Sequence, residues 1–177
     1  MTRYHPVLIA LHWVVAVLIL GALLVGGPML EDTPNSSPDK VGALFGHMTV
    51  GLVILGLMGL RLIVKIATPA PAHADTGHGL LDRLGDVSHW GFYALVLGVV
   101  LSGVGIARGA DLFAIVYGGS GAPLPDSFAD LGARVGHGIL TKVLLALVGL
   151  HVAGWAYHQF ILKDGLIRRM WFGGRKG

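Results

Sequence analysis

The amino-acid sequence predicts an all-α integral membrane protein, a single domain over residues 1–177 built as a bundle of four membrane-spanning helices. The chain is 54% hydrophobic and only 13% charged, with a mean hydropathy of +0.71, whereas a soluble domain carries about 25% charged residues. Its apolar residues collect in four stretches. Each stretch is at least as long as the segment of about 20 residues that a helix needs to cross a bilayer.

The first two spans are expected at residues 7–29 and 41–66. The first is long for the core of a signal peptide, and no persuasive small-residue cleavage site follows it, so we expect it to be retained. The Gly27-Pro28 pair is predicted to end this span, because proline cannot continue the hydrogen bonds of a helix. The polar residues 33–38 then make the turn into the second span.

The third and fourth spans are expected at residues 87–107 and 136–162. Between them lies a longer connection, residues 109–134, which is rich in glycine, proline and aspartate. Such a composition is typical of an irregular segment. We therefore expect the connection to fold over one face of the membrane.

The distribution of basic residues predicts that both termini lie in the cytoplasm. Nine lysines and arginines belong to the side of the termini and the middle loop, against three on the opposite side. The nine are Arg3, Arg61, Lys65, Arg83, Lys163, Arg168, Arg169, Arg175 and Lys176. The three are Lys40, Arg108 and Arg134.

The absence of cysteine narrows the cofactors that the chain can bind. It excludes disulfides, thiolate zinc sites, cysteine-ligated iron–sulfur clusters and covalently attached c-type haem. Nine histidines remain as the good metal ligands. The formal charge of +3 is modest and the basic residues gather at the ends of the spans, so no nucleic-acid partner is expected.

Two histidines of the fourth span, His137 and His151, lie fourteen residues apart. Fourteen helical steps fall only about 40° short of four full turns, so both imidazoles share one face of the helix. The rise between them is about 21 Å, which is most of the hydrocarbon thickness of a bilayer. One helix therefore presents a nitrogen ligand near each side of the membrane.

Histidines of the first two spans match these two levels. Because the first span begins inside and the second outside, His12 shares the inner level with His151, and His47 shares the outer level with His137. One pair at each level suits two bis-histidine haems b, which favour electron transfer over oxygen binding. The alternative is that the four histidines are structural or relay protons, although ionisable groups inside membranes mostly serve a function.

Short motifs around these histidines extend the pattern over essentially the whole chain. They are His12-Trp13, Gly46-His47, Arg61-Leu62, Ser88-His89-Trp90-Gly91, Ala107-Arg108-Gly109, His137, and Gly149-Leu150-His151 followed by His158. Together they resemble the bacterial cytochrome b-561 family, which includes small cytochromes described as superoxide oxidases. More distantly, they are similar to the cytochrome b subunits of nickel–iron hydrogenases and formate dehydrogenases.

The resemblance implies that His12 and His151 ligate an inner haem and that His47 and His137 ligate an outer one, in agreement with the pairing by depth. It also implies electron transfer across the bacterial inner membrane, between the quinone pool and a periplasmic redox partner. In the superoxide oxidase members, superoxide gives its electron to the outer haem, and ubiquinone is reduced at the inner side.

The inner end of this path needs a quinone site. His158 lies two turns after His151, and His89 opens the third span on the same side. Either imidazole can hydrogen-bond a quinone carbonyl and supply a proton, since histidine titrates near neutral pH. In the family that the chain resembles, the position of His158 is the better candidate. The alternative is that both histidines face lipid headgroups or a loop.

Several cations are candidates for contacts with the haems or with the substrate. Arg61 falls near the inner level, where it could pair with a haem propionate or, alternatively, extend to the interface. Arg108 and Arg134 lie on the outer side, where they could neutralise propionates or attract superoxide. Lys142 is expected to extend outward from the fourth span.

Three functions remain open from the sequence. The first is a quinone-linked oxidoreductase that oxidises superoxide. The second uses the same haems in a membrane-anchor subunit that passes electrons from a hydrogenase or dehydrogenase. The third is a haem-free bundle that moves protons or metal ions through its histidines.

Overall fold

The computed structural model describes residues 3–72 and 76–173, and over them every regular element is helical. Four helices are long and apolar enough to span a membrane, which confirms the four predicted spans. We call them the first to fourth helices; they are Pro6–Asp32, Lys40–Ala67, Gly79–Gly109 and Gly132–Leu162. Arg175 and Lys176, which were counted for the orientation, lie outside the described residues.

The first helix does not end at the Gly27-Pro28 pair, so that prediction was wrong. It continues through both residues to Asp32. The turn before them, Ala22–Gly26, is π-helical. Proline interrupts the regular i to i−4 bonding of a helix, and a wider turn absorbs that interruption without breaking the helix.

The third helix begins at Gly79, eight residues before the predicted start of the span. Hydropathy missed this part because it carries charged residues among its leucines. Its first turn is tied down by Thr76, whose N–H and hydroxyl donate to the Asp82 carboxylate at 2.9 and 2.8 Å. His89 is therefore the eleventh residue of the third helix, and the expectation that it opens the span was wrong.

The connection between the third and fourth helices packs against the start of the second helix, at the end of the bundle that the sequence predicts to be outer; the two ends are called outer and inner after that prediction. It contains a second π-helical turn, Phe113–Tyr117. Leu112 and Ile115 form an apolar cluster with Leu44 of the second helix, and the hydroxyl oxygens of Tyr117 and Thr49 lie 3.0 Å apart. The connection thus covers part of this end of the bundle.

Lys40 joins the end of the first helix to the start of the second. Only 5% of it is exposed, and its ammonium donates to the carbonyl oxygens of Leu30 and Thr33 at 2.5 and 2.6 Å. These carbonyls belong to the C-terminal turn of a helix, where the partial charge is negative and a cation is stabilising. Lys40 is therefore a helix cap as well as an outer basic residue.

At the inner end, the chain after the fourth helix folds back against the start of the first. The indole N–H of Trp13 donates to the carbonyl of Met170 at 2.8 Å. The N–H of Tyr4 donates to the carbonyl of Arg169 at 3.1 Å. The short 3₁₀ helix Leu166–Met170 is held against the segment next to His12 by these two bonds.

The bundle consists of two closely packed hairpins, one of the first and second helices and one of the third and fourth. In the second hairpin, leucine side chains of the fourth helix pack against Gly91 and Gly98, so the two backbones approach closely. All four helices meet in a central apolar core. It contains Val15, Ile19, Ile54, Met58, Val96 and Leu144.

Candidate haem and quinone sites

Two pairs of histidines lie at the seam between the hairpins, one pair on each side of the central core. Within each pair, the two rings face each other across the seam. The ring centroids of His47 and His137 are 6.2 Å apart, with the ring planes at 73°. Those of His12 and His151 are also 6.2 Å apart, at 64°. The structure therefore brings together both pairs that the sequence predicts, and in each pair one histidine comes from each hairpin.

The separation within each pair fits a metal ion held between two imidazoles. A bond from a metal to an imidazole nitrogen is about 2 Å long, so two rings bound on opposite sides of one ion have centroids about 6 Å apart. Each seam position supplies two such ligands. A haem iron, whose other four ligands come from the macrocycle, can take two imidazoles from the protein, so the two histidines of each pair would suffice to hold one haem.

The hydrogen bonds of His137 also suit a metal ligand. Its Nδ1 lies 3.0 Å from the carbonyl oxygen of Val99 and 3.1 Å from the hydroxyl of Ser102, both on the third helix. Because a carbonyl only accepts, Nδ1 carries the proton and Nε2 is left with a free lone pair. Such a hydrogen bond orients a ligating histidine and fixes its tautomer.

The partner ring, His47, packs against the π-helical turn of the first helix. A Cβ atom at Gly26 would lie 3.4 Å from its Nδ1, so a larger side chain at position 26 would press on the ring. This Nδ1 is buried and has no hydrogen-bond partner among the described residues. The outer pair thus has one ring fixed by hydrogen bonds and one fixed by packing.

The inner level holds a third histidine. The ring centroid of His89 lies 5.8 Å from that of His151, and the residue is exposed. His89 and His151 belong to the same hairpin, whose helices contact each other directly where Leu147 meets Gly91. A macrocycle does not fit between two helices packed at a glycine, so His89 flanks the inner pair.

Arg61 lies at the inner level beside His12. One of its terminal nitrogens is 3.4 Å from Nδ1 of His12, and another donates to the hydroxyl of Tyr93 at 3.3 Å. A guanidinium only donates, so Nδ1 of His12 accepts in this arrangement. Lys65, one turn further along the second helix, lies over the ring of Trp90 at 4.6 Å.

At the outer end, a cavity of about 1150 Å³ opens between the turn after the first helix, the connection and the start of the fourth helix. Its cations are Lys40, Arg134 and Lys142, and its acids are Glu31 and Asp126. Arg134 donates to the Glu31 carboxylate at 3.2 Å. The cations therefore outnumber the acids around this cavity.

Arg134 is the arginine that lies next to the outer pair. Its side chain runs along Gly138, where a Cβ atom would lie 3.3 Å from the guanidinium, one residue after His137. Arg108, the other outer candidate, is exposed at the end of the third helix, and among the described residues its side chain has no hydrogen bond or ion pair.

His158 is buried at the inner end of the fourth helix, with 9% of the residue exposed. It lies in a third π-helical turn, Tyr157–Leu162, and its Nδ1 donates to a carboxylate oxygen of Asp164 at 2.6 Å. This distance is typical of a strong, charge-assisted contact. The sequence analysis named His158 but not its partner.

Asp164 remains ionised at neutral pH. Burial alone would raise the pKa of Asp164, but the hydrogen bonds from His158 and from the N–H of Leu166, with Arg169 nearby, hold it below its usual value. The contact with His158 is therefore present above the ordinary aspartate pKa and is lost as the pH falls through the lowered one.

The residues that sequence reasoning missed are those that surround the candidate histidines from other segments. They are Val99, Ser102, Tyr93, Gly26 and Asp164. Only Asp164 has a sequence signal, since it is the first carboxylate after the helix that carries His158. The others lie on a different helix from the histidine or arginine that they contact.

The chain is similar to known proteins along almost its whole length. A family model described as prokaryotic cytochrome b561 matches residues 3–173. A probable superoxide oxidase of Yersinia pestis is 25% identical over 95% of each chain. Cytochrome b561 homolog 2 of Escherichia coli is 22% identical over 95% of this chain and 90% of its own, and cytochrome b562 of Cereibacter sphaeroides is 26% identical over 94% of each.

Proposed function

From its membership of the prokaryotic cytochrome b561 family, whose members are haem-containing membrane proteins of electron transport, we propose that the chain is a superoxide:ubiquinone oxidoreductase. It oxidises superoxide at the outer face of the bacterial inner membrane and reduces ubiquinone at the inner face. The observation that carries the proposal is the arrangement of two facing histidine pairs, one at each membrane level, with centroids 6.2 Å apart.

We assign one haem b to each pair: an outer one to His47 and His137, and an inner one to His12 and His151. The 6.2 Å separations and the Nδ1–H tautomer of His137 support this assignment. Haem b held by two imidazoles would supply a one-electron carrier with no position open to oxygen. The termini are assigned to the cytoplasm on the distribution of basic residues.

The proposed reaction consumes two superoxide anions for each ubiquinone that it reduces. Each superoxide gives up one electron and leaves as dioxygen, and ubiquinone takes up both electrons and two protons to become ubiquinol. Superoxide as the donor is supported by the relative described as a probable superoxide oxidase. The outer cavity adds support, because Arg134 and Lys142 line it together with Gly138, the residue after His137, and positive charge there raises the encounter rate of a small anion.

At the inner end we assign the quinone to His158. Asp164 accepts the Nδ1 proton of this imidazole, and its carboxylate can pair with the protonated form of the ring, in which Nε2 also carries a proton. In that form Nε2–H can donate a hydrogen bond to a quinone carbonyl and pass on one of the two protons. His89, which is exposed beside the inner pair, is the second candidate.

Arg61 is assigned to a propionate of the inner haem. If His12 binds iron through Nε2, its Nδ1 carries a proton, which a guanidinium cannot accept. The contact between Arg61 and His12 must then be given up. A propionate is a better partner for Arg61, because an arginine and a carboxylate form charge-assisted hydrogen bonds.

The direct test is superoxide-driven reduction of a soluble ubiquinone by the purified, haem-loaded chain. We expect about one ubiquinol for every two superoxide anions, as the electron balance requires, and we expect superoxide dismutase to abolish the reaction. Inactivity of the loaded chain, with stable co-purification of a large outer subunit, would instead support the membrane-anchor function. A chain that takes up no haem would support a haem-free bundle.

His158→Gln is expected to slow ubiquinone reduction about tenfold or more, because it removes a group that positions the quinone and transfers a proton. The measurement is kcat and KM for ubiquinone with the haem spectrum recorded in parallel. His78→Gln, which changes an exposed histidine on the same side, is the matched control. Equal kinetics for the two variants would remove His158 from the quinone site.

A further inference from the structure

A second cavity, of about 360 Å³, lies at the inner end of the fourth helix, where the chain leaves the membrane. It is lined by Gln159, Phe160, Lys163, Gly165, Ile167 and Arg168. None of these residues belongs to a histidine pair or to the contact between His158 and Asp164. Its size is within the range of small-molecule binding sites, and nothing in the proposed electron transfer uses it.

The cavity carries two cations that have no anionic partner in the part of the chain that the structure describes. Among the described residues, neither Lys163 nor Arg168 has a carboxylate within ion-pair distance. Asp164 lies between them in sequence, but its two oxygens accept from Nδ1 of His158 and from the N–H of Leu166 at 2.6 and 2.9 Å. The lining therefore presents two positive charges that favour an anion.

The backbone holds both cations at the rim of this cavity. Lys163 ends the helix in the left-handed conformation with φ 53°, and Gly165 has φ 68°. The side chain of Arg168 lies against Gly165, where a Cβ atom would be 3.6 Å from Cδ and 3.7 Å from Nε. A side chain at position 165 would strain the backbone at this φ, and its Cβ would touch Arg168, so glycine permits the turn against which Arg168 lies.

Two further features indicate the kind of anion. The side-chain oxygen of Gln159 is buried and has no hydrogen-bond partner among the described residues, so a ligand that donates there would satisfy it. Phe160, which lines the cavity, and its neighbour Ile161 are 63% and 67% exposed, so in a bilayer both side chains would be available to lipid chains. One side of the site thus offers two cations and a free hydrogen-bond acceptor, and the other side adjoins exposed apolar side chains.

We propose that this cavity binds the headgroup of an anionic phospholipid that carries a free hydroxyl, as phosphatidylglycerol does. The phosphodiester accepts from Lys163 and Arg168, the headgroup hydroxyl donates to Gln159, and the acyl chains run along Phe160 and Ile161. Basic pockets at the ends of membrane helices bind such headgroups. A neutral quinone would leave both cations without an anion.

The test is native mass spectrometry of the full, haem-loaded chain titrated with phosphatidylglycerol, phosphatidylethanolamine or inorganic phosphate. We expect one tightly bound phosphatidylglycerol and weaker binding of the other two. Arg168→Gln should lower the affinity for phosphatidylglycerol about fivefold, which is the effect of one basic residue near an anionic lipid. The control Arg83→Gln removes an exposed arginine from the same side of the membrane and should change nothing.

Gln159→Leu tests the hydroxyl separately. The unaltered chain should prefer phosphatidylglycerol over phosphatidylmethanol, which has the same charge and no headgroup hydroxyl, and the variant should bind the two equally. Equal phosphatidylglycerol affinity in Arg168→Gln and Arg83→Gln would overturn the proposal. Saturation by inorganic phosphate at the same strength, or displacement of the lipid by ubiquinone, would overturn it as well. Unchanged thermal unfolding of Arg168→Gln shows that a loss of binding is local.

Discussion

Replacing His47 or His137 with alanine is expected to remove one and the same haem, so that each variant retains about one haem per chain instead of about two. The two rings face each other at 6.2 Å across the seam and come from different hairpins. Loss of either ring would leave the proposed outer haem with one imidazole ligand instead of two. The inner pair is expected to keep its haem, because the central apolar core separates the two levels.

The double variant makes this prediction sharper. If both rings serve one haem, His47→Ala combined with His137→Ala should lose no more haem than either single change, which is the signature of residues that act as a unit. The measurement is the haem-to-protein ratio with a redox titration of what remains. His78→Ala should retain both haems. Loss of different haems by the two single variants would contradict the pairing by depth.

His12→Ala is expected to remove the inner haem, while His89→Ala keeps both haems. Distance alone does not show which of these two residues pairs with His151, since their ring centroids lie 6.2 and 5.8 Å from that of His151. The packing of the helices distinguishes them. His89 belongs to the same hairpin as His151, whose helices contact each other at Gly91, whereas His12 faces His151 across the seam.

The haem content and the low-spin spectrum of both variants decide the inner assignment. His151→Ala provides the matched comparison, because it should give the same haem content as His12→Ala. His89→Ala should change, at most, the kinetics of quinone reduction. The opposite pattern, with the inner haem lost in His89→Ala and kept in His12→Ala, would exchange the roles of the two residues.

Much of the fold follows from local patterns in the chain. Hydropathy predicted the four spans, and helical periodicity predicted that His137 and His151 share a face. The wrong boundaries have local causes too. Gly27-Pro28 looked like a helix end, but a π-helical turn carries the first helix through it. The third helix begins earlier than its apolar part because its first turns carry charges.

The surroundings of the candidate site were less predictable. Val99 and Ser102 contact His137 from another helix, and no spacing within the sequence relates them. Arg134 and Arg108 looked equivalent on the outer side, yet only Arg134 lies beside the outer pair. Such choices depend on how each helix is rotated about its axis.

The sequence by itself therefore determined the number of candidate spans and which of His12, His47, His137 and His151 lie at the same level of the bundle. Depth follows from counting residues along a helix that crosses a layer of fixed thickness. The tertiary structure decided which side chains meet at each level. Close packing of leucines onto Gly91 and Gly98 joins the third and fourth helices and leaves the seam between the hairpins for the facing histidines. Packing of this kind depends on the shapes of distant segments, which a local pattern does not contain.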